Sequence, residues 1–433
     1  MLISADPATS SRRAGETANT GAAFDGVDLA ALATRVGTPC HVYSASAIRR
    51  RIHELQRALN GLDAQICFAV KANPLRAILQ MMAAAGIGAD IVSAGELRRA
   101  LEAGIDPARI VFSGVGKTAE EMRIALGAGI SRFNVESFDE LETLQHIAAE
   151  RAQIANVAIR INPDVDAQTH AKISTGRSEN KFGVSVDQAR QWFAQRLRFP
   201  NLRINGLHVH IGSQILNLEP FRQALERVAA FRRELEADGY VIHSIDIGGG
   251  LGVCYREGQD RVPSAVDYVE TVRDALHDYS GRLVLEPGRW LVAEAGILLS
   301  RVIRIKRGGE RNFLILDAAM NDLARPSLYD AWHDIVAVSP NHLPHVEYDI
   351  VGPVCETGDT FARGRSVPEC AAGDLMMIRT TGAYAASMAS TYNSRPLAAE
   401  VLVDRGRWTI ARQRQTHAQM CFGELSEPAW QKE

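Results

Sequence analysis

The sequence predicts an α/β protein in which a (β/α)8 barrel precedes a mainly β domain. Eight short apolar runs alternate with amphipathic segments over about 220 residues, close to the length that such a barrel takes. Polar or glycine-rich residues follow each of the eight runs. From about residue 297, short apolar runs succeed one another with little helical sequence between most of them, as in a β domain. A doubly wound open sheet is the alternative for the first region.

Composition argues against several classes of protein. With 46% hydrophobic residues, the 433-residue chain can bury a large core, and its net charge of -3 does not suggest a nucleic-acid or membrane-surface partner. No apolar run reaches the roughly 18 residues that a membrane span needs. The six cysteines include no CxxC pair, so we expect no metal site and reduced thiols in the cytoplasm.

Two segments precede the predicted barrel. Residues 1–24 are rich in small and polar residues and lack the apolar core of a secretory signal, so we predict a disordered tail. An organellar transit segment is the alternative, against which the two acidic residues of this stretch argue. Residues 25–45 contain a predicted helix over 28–36 and a predicted strand over 38–43. This strand has no barrel partner, so we expect the segment to pack with the β domain.

The barrel is predicted over residues 46–296 and the β domain over 297–433. The first barrel helix follows Ser44 or Ser46, either of which can cap it. A long amphipathic helix is predicted over 219–238. The predicted barrel strands are 66–70, 89–92, 110–112, 133–135, 157–161, 207–211, 245–247 and 283–285.

The residues that follow the predicted strands indicate where a site would lie. In a barrel these strand ends share one face, which is where barrel enzymes place their chemistry. One polar strand end carries little weight, whereas eight together are hard to explain as solvent-exposed loops. In chain order they are Lys71, Ser93-Ala94-Gly95-Glu96, Ser113-Gly114, Glu136-Ser137, Asn162-Pro163, Gly212-Ser213, Gly248-Gly249-Gly250 and Glu286-Pro287-Gly288-Arg289.

Lys71 stands at the carboxyl end of the first predicted barrel strand, and Asn73-Pro74 then forces a turn. A lysine is ordinarily a solvated surface charge. At the end of an apolar strand it loses part of its hydration, which favours the neutral amine. Because a neutral amine forms a Schiff base with an aldehyde or ketone, Lys71 is a candidate catalytic residue.

The glycine triplet Gly248-Gly249-Gly250 directly follows another predicted strand. Glycines there allow backbone N–H groups to approach a phosphate closely, although a tight turn between strand and helix would use the same residues. The triplet matches neither the dinucleotide-binding pattern nor the P-loop pattern. A phosphate site combined with a Schiff-base lysine points to pyridoxal 5'-phosphate (PLP).

Four further residues suit a PLP site. Glu286 could keep the pyridine nitrogen protonated, which makes the ring a strong electron sink for a carbanion. Arg289 could reach a phosphate or a substrate carboxylate. His210 could stack on the ring, and Ser213 could bond the phosphate. Plainer explanations exist for three of them, an exposed turn for residues 286–289 and a hydrogen-bonded core histidine for His210.

With these motifs the chain resembles the fold-type III PLP-dependent decarboxylases, and within them the diaminopimelate decarboxylase branch. The resemblance covers nearly all of residues 25–405 and is specific because the motifs match jointly and in order. The motifs are FAVKAN (68–73), GADIVSAGEL (88–97), FSGVGK (112–117), FNVES (133–137), INPDVDAQTH (161–170), ISTG (173–176), NKFGV (180–184), HVHIGSQ (208–214), DIGGGLGV (246–253), EPGR (286–289), LDAAMNDLARPSLYDAWH (316–333), GPVCETGD (352–359) and GAYAASMASTYNSRP (382–396).

The resemblance implies an alanine-racemase-like barrel, a β domain that includes the N-terminal strand, and a homodimer with shared active sites. The implied reaction is decarboxylation of meso-2,6-diaminopimelate to L-lysine and CO2, the last step of lysine biosynthesis. The implied catalytic residues are Lys71 as the Schiff-base lysine, His210 on the ring, Glu286 at the pyridine nitrogen and Cys355 as proton donor. The implied cofactor-binding residues are Lys71, His210, Ser213, Gly248, Gly249, Gly250, Glu286, Gly288, Arg289 and Tyr384. The implied substrate-binding residues are Arg289, Arg325, Tyr329, Glu356 and Tyr384, with Cys355 and Glu356 reaching the partner's barrel.

Side-chain chemistry agrees with this substrate. Diaminopimelate has a second amino-carboxylate end, where an arginine suits the carboxylate and a carboxylate such as Glu356 suits the ammonium. Arg325 and Tyr329 are four residues apart, so they share a face if their stretch is helical. Ala319 and Ala385 stand where the family often has glycine.

Three other functions compete with this interpretation. Other decarboxylases of the fold type act on ornithine, arginine, lysine or carboxynorspermidine, and the first three offer no distal carboxylate for Arg325. A racemase must limit the electron sink, whereas Glu286 favours full protonation of the ring. A non-catalytic PLP carrier would resemble the barrel alone, whereas this chain adds a β domain with Cys355 and Tyr384.

Overall fold

The structure is a computed structural model of the chain. It describes residues 23–166, 181–339, 342–427 and 430. Most of the predicted tail over 1–24 therefore lies outside the described residues, although Ala23 and Phe24 form a short strand. Residues 167–180, which include parts of three matched motifs, also lie outside them.

The described chain begins with a small hairpin, a helix and a buried strand. These elements are β1 (Ala23–Phe24), β2 (Val27–Asp28), α1 (Leu29–Val36) and β3 (Cys40–Ser44). The Asp28 carboxylate accepts a 2.9 Å hydrogen bond from the Ala31 N–H and so caps α1. The helix predicted over 28–36 is confirmed, with Asp28 as its cap.

Helices and strands then alternate through the barrel region. In chain order they are α2 (Ala45–Ala58), β4 (Ala64–Ala69), α3 (Arg76–Ala84), β5 (Gly88–Ile91), α4 (Ala94–Glu102), β6 (Ile110–Phe112), α5 (Ala119–Ala128), β7 (Arg132–Val135), α6 (Phe138–Glu150), β8 (Ala155–Arg160), α7 (Val186–Ala194), β9 (Leu202–His208), α8 (Glu219–Ala237), β10 (Ser244–Asp246), α9 (Ala265–Ala275), β11 (Arg282–Leu285) and α10 (Arg289–Val292).

The eight strands β4 to β11 form a closed parallel barrel. Strand β11 pairs with β4, with Leu283 opposite Ala64, so the sheet has no open edge. The predicted (β/α)8 barrel is confirmed, and the open-sheet alternative is wrong. The carboxyl ends of all eight strands consequently face the same side of the barrel.

Strand β9 departs furthest from its predicted bounds, whereas the other seven barrel strands agree with theirs to within two residues. We predicted a strand over 207–211, whereas β9 begins at Leu202 and ends at His208. Its first half pairs with β8, with Leu202 opposite Ala155. That half contains polar residues, so it cannot be recognised as a run of apolar residues. His210 therefore lies beyond the strand, in the loop that reaches the site.

The two helix predictions in the barrel are also confirmed. Ser44 caps α2, because its Oγ accepts a 3.1 Å hydrogen bond from the Ala47 N–H, whereas Ser46 donates to Asp25. Helix α8 matches the helix predicted over 219–238 to within one residue.

The remainder of the chain is mainly β. Its elements are β12 (Gly296–Gly308), β13 (Arg311–Leu316), α11 (Arg325–Tyr329), β14 (Ile335–Ala337), β15 (His345–Val351), β16 (Thr360–Pro368), β17 (Leu375–Ile378), β18 (Ala399–Asp404), β19 (Arg407–Arg412) and α12 (His417–Met420). The strands form one sheet in the order β16-β15-β13-β12-β3-β18-β19, with β14 and β17 attached beside β12. The predicted mainly β domain is confirmed.

Strand β3 lies in the middle of that sheet. It pairs antiparallel with β12, with Tyr43 opposite Gly296, and parallel with β18, with Val42 opposite Val401. Residues of α1 and β3 share a buried cluster with residues of β12 and β18. The expected association of the N-terminal strand with the β domain is confirmed, while the four-segment division of the chain stays a prediction.

Two further properties concern the whole described chain. None of its helices combines the length and the apolar character that crossing a membrane requires. All six cysteines are free thiols.

Candidate active site

Most of the predicted site residues meet in one cavity of about 550 Å³ at the carboxyl ends of the barrel strands. Helix α11 and the loop around Tyr384 bring the β domain to the same cavity. Its volume suits a cofactor together with a small substrate. The predicted residues that line it are Lys71, His210, Ser213, Gly250, Glu286, Gly288, Arg289, Arg325, Tyr329 and Tyr384.

Lys71 follows β4 in a short 3-10 turn, Val70–Ala72, and its side chain remains 41% exposed to the cavity. Its Nζ lies 2.7 Å from Oδ2 of Asp90, which is fully buried on the neighbouring strand β5. Burial alone would lower the pKa of Lys71, but Asp90, Tyr384 and Glu286 together raise that pKa above its usual value. The expectation of a neutral amine is therefore wrong for the chain without a ligand, because the strand brings a buried carboxylate to the lysine.

Glu286, at the end of β11, is held by three polar groups. Its Oε1 accepts hydrogen bonds from Ser113 Oγ at 3.1 Å and from Asn134 Nδ2 at 3.2 Å. Its Oε2 lies 3.4 Å from Nε2 of His208. Burial would raise the pKa of Glu286, but His208 and Lys71 hold that pKa well below its usual range. The residue is thus a buried carboxylate that stays ionised in the wall of the cavity.

A second buried carboxylate lies beneath Glu286. Asn134 donates from the same amide nitrogen to Asp246 Oδ2 at 3.1 Å, and burial raises the pKa of Asp246 to about 7. Burial lowers the pKa of His208, but the two neighbouring carboxylates raise it above its usual value. The ligand atoms of His208, Asp246 and Glu286 lie within 4.8 Å of one another, a spacing that a metal could accept. We interpret the group as a polar support for Glu286, because the two carboxylates that raise the pKa of His208 favour the cationic form of its ring.

The glycine triplet is required by close backbone packing. A Cβ atom at Gly248 would lie 2.5 Å from the Val209 carbonyl oxygen, and one at Gly249 would lie 2.3 Å from the Glu286 carbonyl oxygen. Gly250 has a φ of +111°, which an L side chain rarely adopts. Only Gly250 lines the cavity, whereas Gly248 and Gly249 lie behind that wall.

Gly249 also fixes the form of His210. Its N–H donates to His210 Nδ1 at 3.1 Å, so this ring nitrogen carries no proton. Burial and the charge of Arg160 lower the pKa of His210 to about 3. A neutral imidazole in a fixed tautomer therefore lines the cavity.

Two buried arginines line the cavity without a carboxylate partner among the described residues. Arg289 is 7% exposed and donates to Tyr255 Oη at 2.6 Å and to Ser213 Oγ at 3.0 Å. Arg325 is 5% exposed and donates to Nε2 of His333 at 2.8 Å. A buried charge is costly unless it is paired. Two such guanidinium groups therefore indicate a ligand that brings two anionic groups into the cavity.

The β domain supplies Tyr329 and Tyr384. Tyr329 lies at the end of α11, four residues from Arg325, so the predicted helical spacing is confirmed. Tyr384 has a φ of +56°, in the left-handed region that a bulky residue rarely adopts, and its N–H donates to the Ala72 carbonyl at 2.8 Å. Its ring centre lies 4.7 Å from the Arg289 guanidinium carbon. The unusual backbone of Tyr384 thus places its ring against the arginine of the cavity.

These residues fit PLP. An amine is available at Lys71, an ionised carboxylate at Glu286 can face a protonated pyridine nitrogen, and Arg289 with Ser213 can hold a phosphate. Gly250 lines the cavity as bare backbone, because a Cβ atom there would lie 2.5 Å from the Gly212 carbonyl oxygen. Arg325 then remains for a second anion, such as a substrate carboxylate.

Besides Gly248 and Gly249, two predicted site residues do not line this cavity, Cys355 and Glu356. Both side chains are exposed, in the loop between β15 and β16. The Cys355 N–H donates to Asn393 Oδ1 at 3.1 Å, which ties this loop to the segment that follows Tyr384. Within one chain, therefore, the predicted proton donor is separate from the predicted cofactor lysine.

The sequence alone did not identify several residues that line the cavity or contact the residues lining it. The missed residues include Asp90, Asn134, His208, Asp246, Tyr255 and His333. One signal was available for Asp90, a carboxylate inside the apolar strand Gly88–Ile91, where a charge is buried only if it is paired. Tyr255 and His333 lie in loops, away from the residues that directly follow the predicted strands, and no local sequence pattern distinguishes them.

Known proteins resemble the chain over most of its length. A family model described as "Pyridoxal-dependent decarboxylase, pyridoxal binding domain" matches residues 45–293. The chain is 51% identical to the diaminopimelate decarboxylase of Zymomonas mobilis, over 90% of this chain and 93% of that one. It is 49% identical to the diaminopimelate decarboxylase of Pseudomonas aeruginosa, over 93% of this chain and 97% of that one. The crystal structure of the Helicobacter pylori diaminopimelate decarboxylase complexed with L-lysine matches with a TM-score of 0.88 at 41% identity, over 91% of this chain and 98% of that one.

Proposed function

The chain belongs to the diaminopimelate decarboxylases, which are pyridoxal-dependent decarboxylases, and we propose that it converts meso-diaminopimelate to L-lysine and CO2. This reaction is the last step of lysine biosynthesis, and its cofactor is PLP. One observation carries the proposal for this substrate. Arg325 is buried in the same cavity as Lys71 and has no carboxylate partner among the described residues. The distal carboxylate of diaminopimelate is the anion that this arginine lacks.

The residues around Lys71 divide into a cofactor site and a substrate site. Bound PLP supplies an electron sink for the electron pair that is left when a carboxylate departs. Lys71 would attach it, and Arg289 with Ser213 would hold its phosphate. Glu286 stays ionised and would therefore keep a proton on the pyridine nitrogen, and His210 would contact the ring. Gly248, Gly249 and Gly288 shape the wall around these contacts.

The reaction breaks one carbon–carbon bond and forms one carbon–hydrogen bond. The bond between the α-carbon and its carboxylate breaks, CO2 leaves, and the electron pair remains until a proton reaches the carbon. We assign Cys355 as the proton donor and Glu356 as the partner of the distal ammonium. Tyr329 and Tyr384 line the cavity on the substrate side.

The position of Cys355 supports a homodimer with shared active sites. In one chain this thiol and Glu356 are exposed and lie outside the cavity that holds Lys71. A loop that carries two functional side chains away from its own cavity can serve the cavity of a second copy. We therefore infer that each barrel receives Cys355 and Glu356 from the partner.

The cellular setting follows from two simpler properties. Six free thiols suit a reducing compartment, so we place the enzyme in the cytoplasm. A net charge of -3 does not suggest a nucleic-acid partner. We therefore expect a small-molecule substrate and no nucleic-acid or membrane partner.

The test is CO2 release from meso-diaminopimelate by the purified protein with added PLP. L-Lysine, L-ornithine and L-arginine serve as competing substrates, and Lys71→Ala is the control that cannot attach the cofactor. Release from diaminopimelate alone, lost in the control, is the expected result. Release from another amino acid instead would contradict the assignment of Arg325 and Glu356. No release from any substrate, with PLP bound, would favour a racemase or a carrier.

A further inference from the structure

His333 is a buried residue next to the proposed substrate arginine. It lies in the loop between α11 and β14 and is 1% exposed. Its ring meets the ring of Tyr255 edge to face, with centroids 5.0 Å apart at 79°. Packed in this way, the imidazole cannot turn without displacing its neighbours.

The hydrogen bonds of His333 settle which ring nitrogen carries the proton. Nδ1 lies 2.8 Å from the Arg379 carbonyl oxygen, which only accepts, so Nδ1 carries the hydrogen. Nε2 lies 2.8 Å from Arg325 Nη1, which only donates, so Nε2 offers its lone pair. Burial and the charge of Arg325 lower the pKa of His333 to about 3. The imidazole is therefore a neutral acceptor across the whole working range of pH.

A neutral acceptor affects Arg325 differently from a carboxylate. It orients the guanidinium but leaves its positive charge uncompensated. Arg325 also packs on an uncharged aromatic ring, since its guanidinium carbon lies 4.4 Å from the centre of the Tyr255 ring. Burial lowers the pKa of Arg325 to about 10, which still leaves it charged at neutral pH. Arg325 is thus held in place with its charge available to a ligand.

We propose that His333 is a positioning residue that sets the preference for substrates with a distal carboxylate, by holding Arg325 in the cavity without neutralising it. This inference rests on the proposed function. It concerns the preference among substrates, whereas the proposed function concerns the reaction. Loss of the Nε2 acceptor should weaken ligands in proportion to their use of the distal carboxylate, and leave ligands that lack this carboxylate unaffected.

Two inhibitors distinguish a loss of binding to the distal carboxylate from a general disturbance of the cavity. L-Lysine, the product, keeps one of the two carboxylates of diaminopimelate, whereas cadaverine is the same molecule without it. The ratio of their inhibition constants against meso-diaminopimelate therefore measures the contribution of the distal carboxylate alone. A general disturbance of the cavity weakens both ligands and leaves the ratio unchanged.

The chain allows a matched pair of substitutions. In His333→Gln the amide oxygen can take the place of Nε2 and accept from Arg325. In His333→Asn the shorter amide can keep the bond to the Arg379 carbonyl but has no atom near Arg325. His333→Phe removes the acceptor while it fills the ring volume, and it replaces the asparagine variant if that protein does not fold. His345→Phe, at an exposed histidine on β15, is the control for loss of an imidazole elsewhere.

The experiment measures both inhibition constants, together with KM and kcat for meso-diaminopimelate, in the PLP-loaded variants. We expect the cadaverine-to-lysine ratio to fall about tenfold or more in His333→Asn, with a rise in KM that exceeds the fall in kcat. The ratio should be retained in His333→Gln and in the His345 control. An unchanged ratio in both His333→Asn and His333→Phe would overturn the inference. If the unsubstituted protein releases no CO2 from diaminopimelate, the proposed function is overturned. This result differs from an unchanged inhibition ratio, which overturns only the role of His333.

Discussion

The Nζ atom of Lys71 lies 2.7 Å from Oδ2 of Asp90, a carboxylate that is fully buried on the next barrel strand. This contact raises the pKa of Lys71, so the amine of the chain without cofactor carries a proton that it must lose before it can attach PLP. In Asp90→Asn the pKa of Lys71 falls, and a larger share of the amine is neutral at any given pH. We expect the pH dependence of PLP uptake by the apo-protein to shift downward by about one unit or more. The growth of the cofactor absorbance band after mixing, followed from pH 6 to 10, measures this shift, and an unshifted profile would contradict it.

Glu286→Gln keeps the shape of the side chain and removes its charge. The natural carboxylate has a pKa held well below its usual range by His208 and Lys71, so it stays ionised at every pH at which the protein works. An amide cannot hold a proton on the pyridine nitrogen, so we expect kcat to fall about a hundredfold or more, with a smaller change in KM. Steady-state kinetics at saturating PLP give both constants. Unchanged turnover would remove Glu286 from its assigned role.

Tyr255→Phe tests the support of Arg289, the arginine that we assign to the cofactor phosphate. The variant loses the hydroxyl that accepts from Arg289 at 2.6 Å but keeps the ring against which Arg325 packs. We expect PLP to bind about three- to tenfold more weakly, while the lysine-to-cadaverine preference remains. Equilibrium dialysis of the cofactor and the two inhibition constants provide the measurements. Equal loss of both properties would indicate a general collapse of the cavity.

Mixing two inactive variants tests the shared site. Lys71→Ala removes the lysine that we assign to the cofactor of one barrel, and Cys355→Ala removes the proton donor that we assign to the partner's barrel. A mixed dimer of the two variants contains one site with both residues intact. After joint unfolding and refolding, or co-expression, we expect about a quarter of the natural activity to return. Activity that stays at the level of the separate variants would contradict a donor supplied by the partner.

Glu96 gives a prediction about stability. Burial raises its pKa to about 7 from a usual 4.5, although its Oε2 accepts a 2.8 Å hydrogen bond from the Val92 N–H. Between these two values the folded chain binds a proton that the unfolded chain has released, so stability falls as the pH rises from 4.5 to 7 and then levels off. Glu96→Gln should remove this part of the pH dependence. Thermal midpoints of both proteins at pH 5, 6, 7 and 8 test it, and parallel curves would contradict the shift.

The barrel could be predicted because its signal is local. Each strand is a short apolar run, and after several of them a residue that lines the cavity follows within two positions of the strand end, as Lys71 follows Ala64–Ala69 and Glu286 follows Arg282–Leu285. Strand β9 shows the limit of this signal, since its first half carries polar residues and is recognised only by its pairing with β8. The strand ends were sufficient to identify the face on which the site lies.

The groups that tune the site could not be predicted, because they come from distant parts of the chain. Asp90 is 19 residues from Lys71, and Tyr255 is 34 residues from Arg289. Nothing in the local sequence indicates that either pair will touch. Burial alone therefore predicts a lowered pKa for Lys71, whereas its charged neighbours raise that pKa. Charge states in a closed cavity depend on which strands become neighbours.

The central position of β3 has a consequence for the order in which the protein is made. The strand that joins β12 to β18 is synthesised before the entire barrel, and its two partners follow only after the barrel sequence is complete. A chain emerging from the ribosome must therefore keep an apolar strand unpaired while some 250 residues are added and begin to fold. A fragment that begins at Gly296 would contain two half-sheets with no strand to connect them. The β domain is thus the last part of the molecule to close, and its closure requires the first segment to have been made.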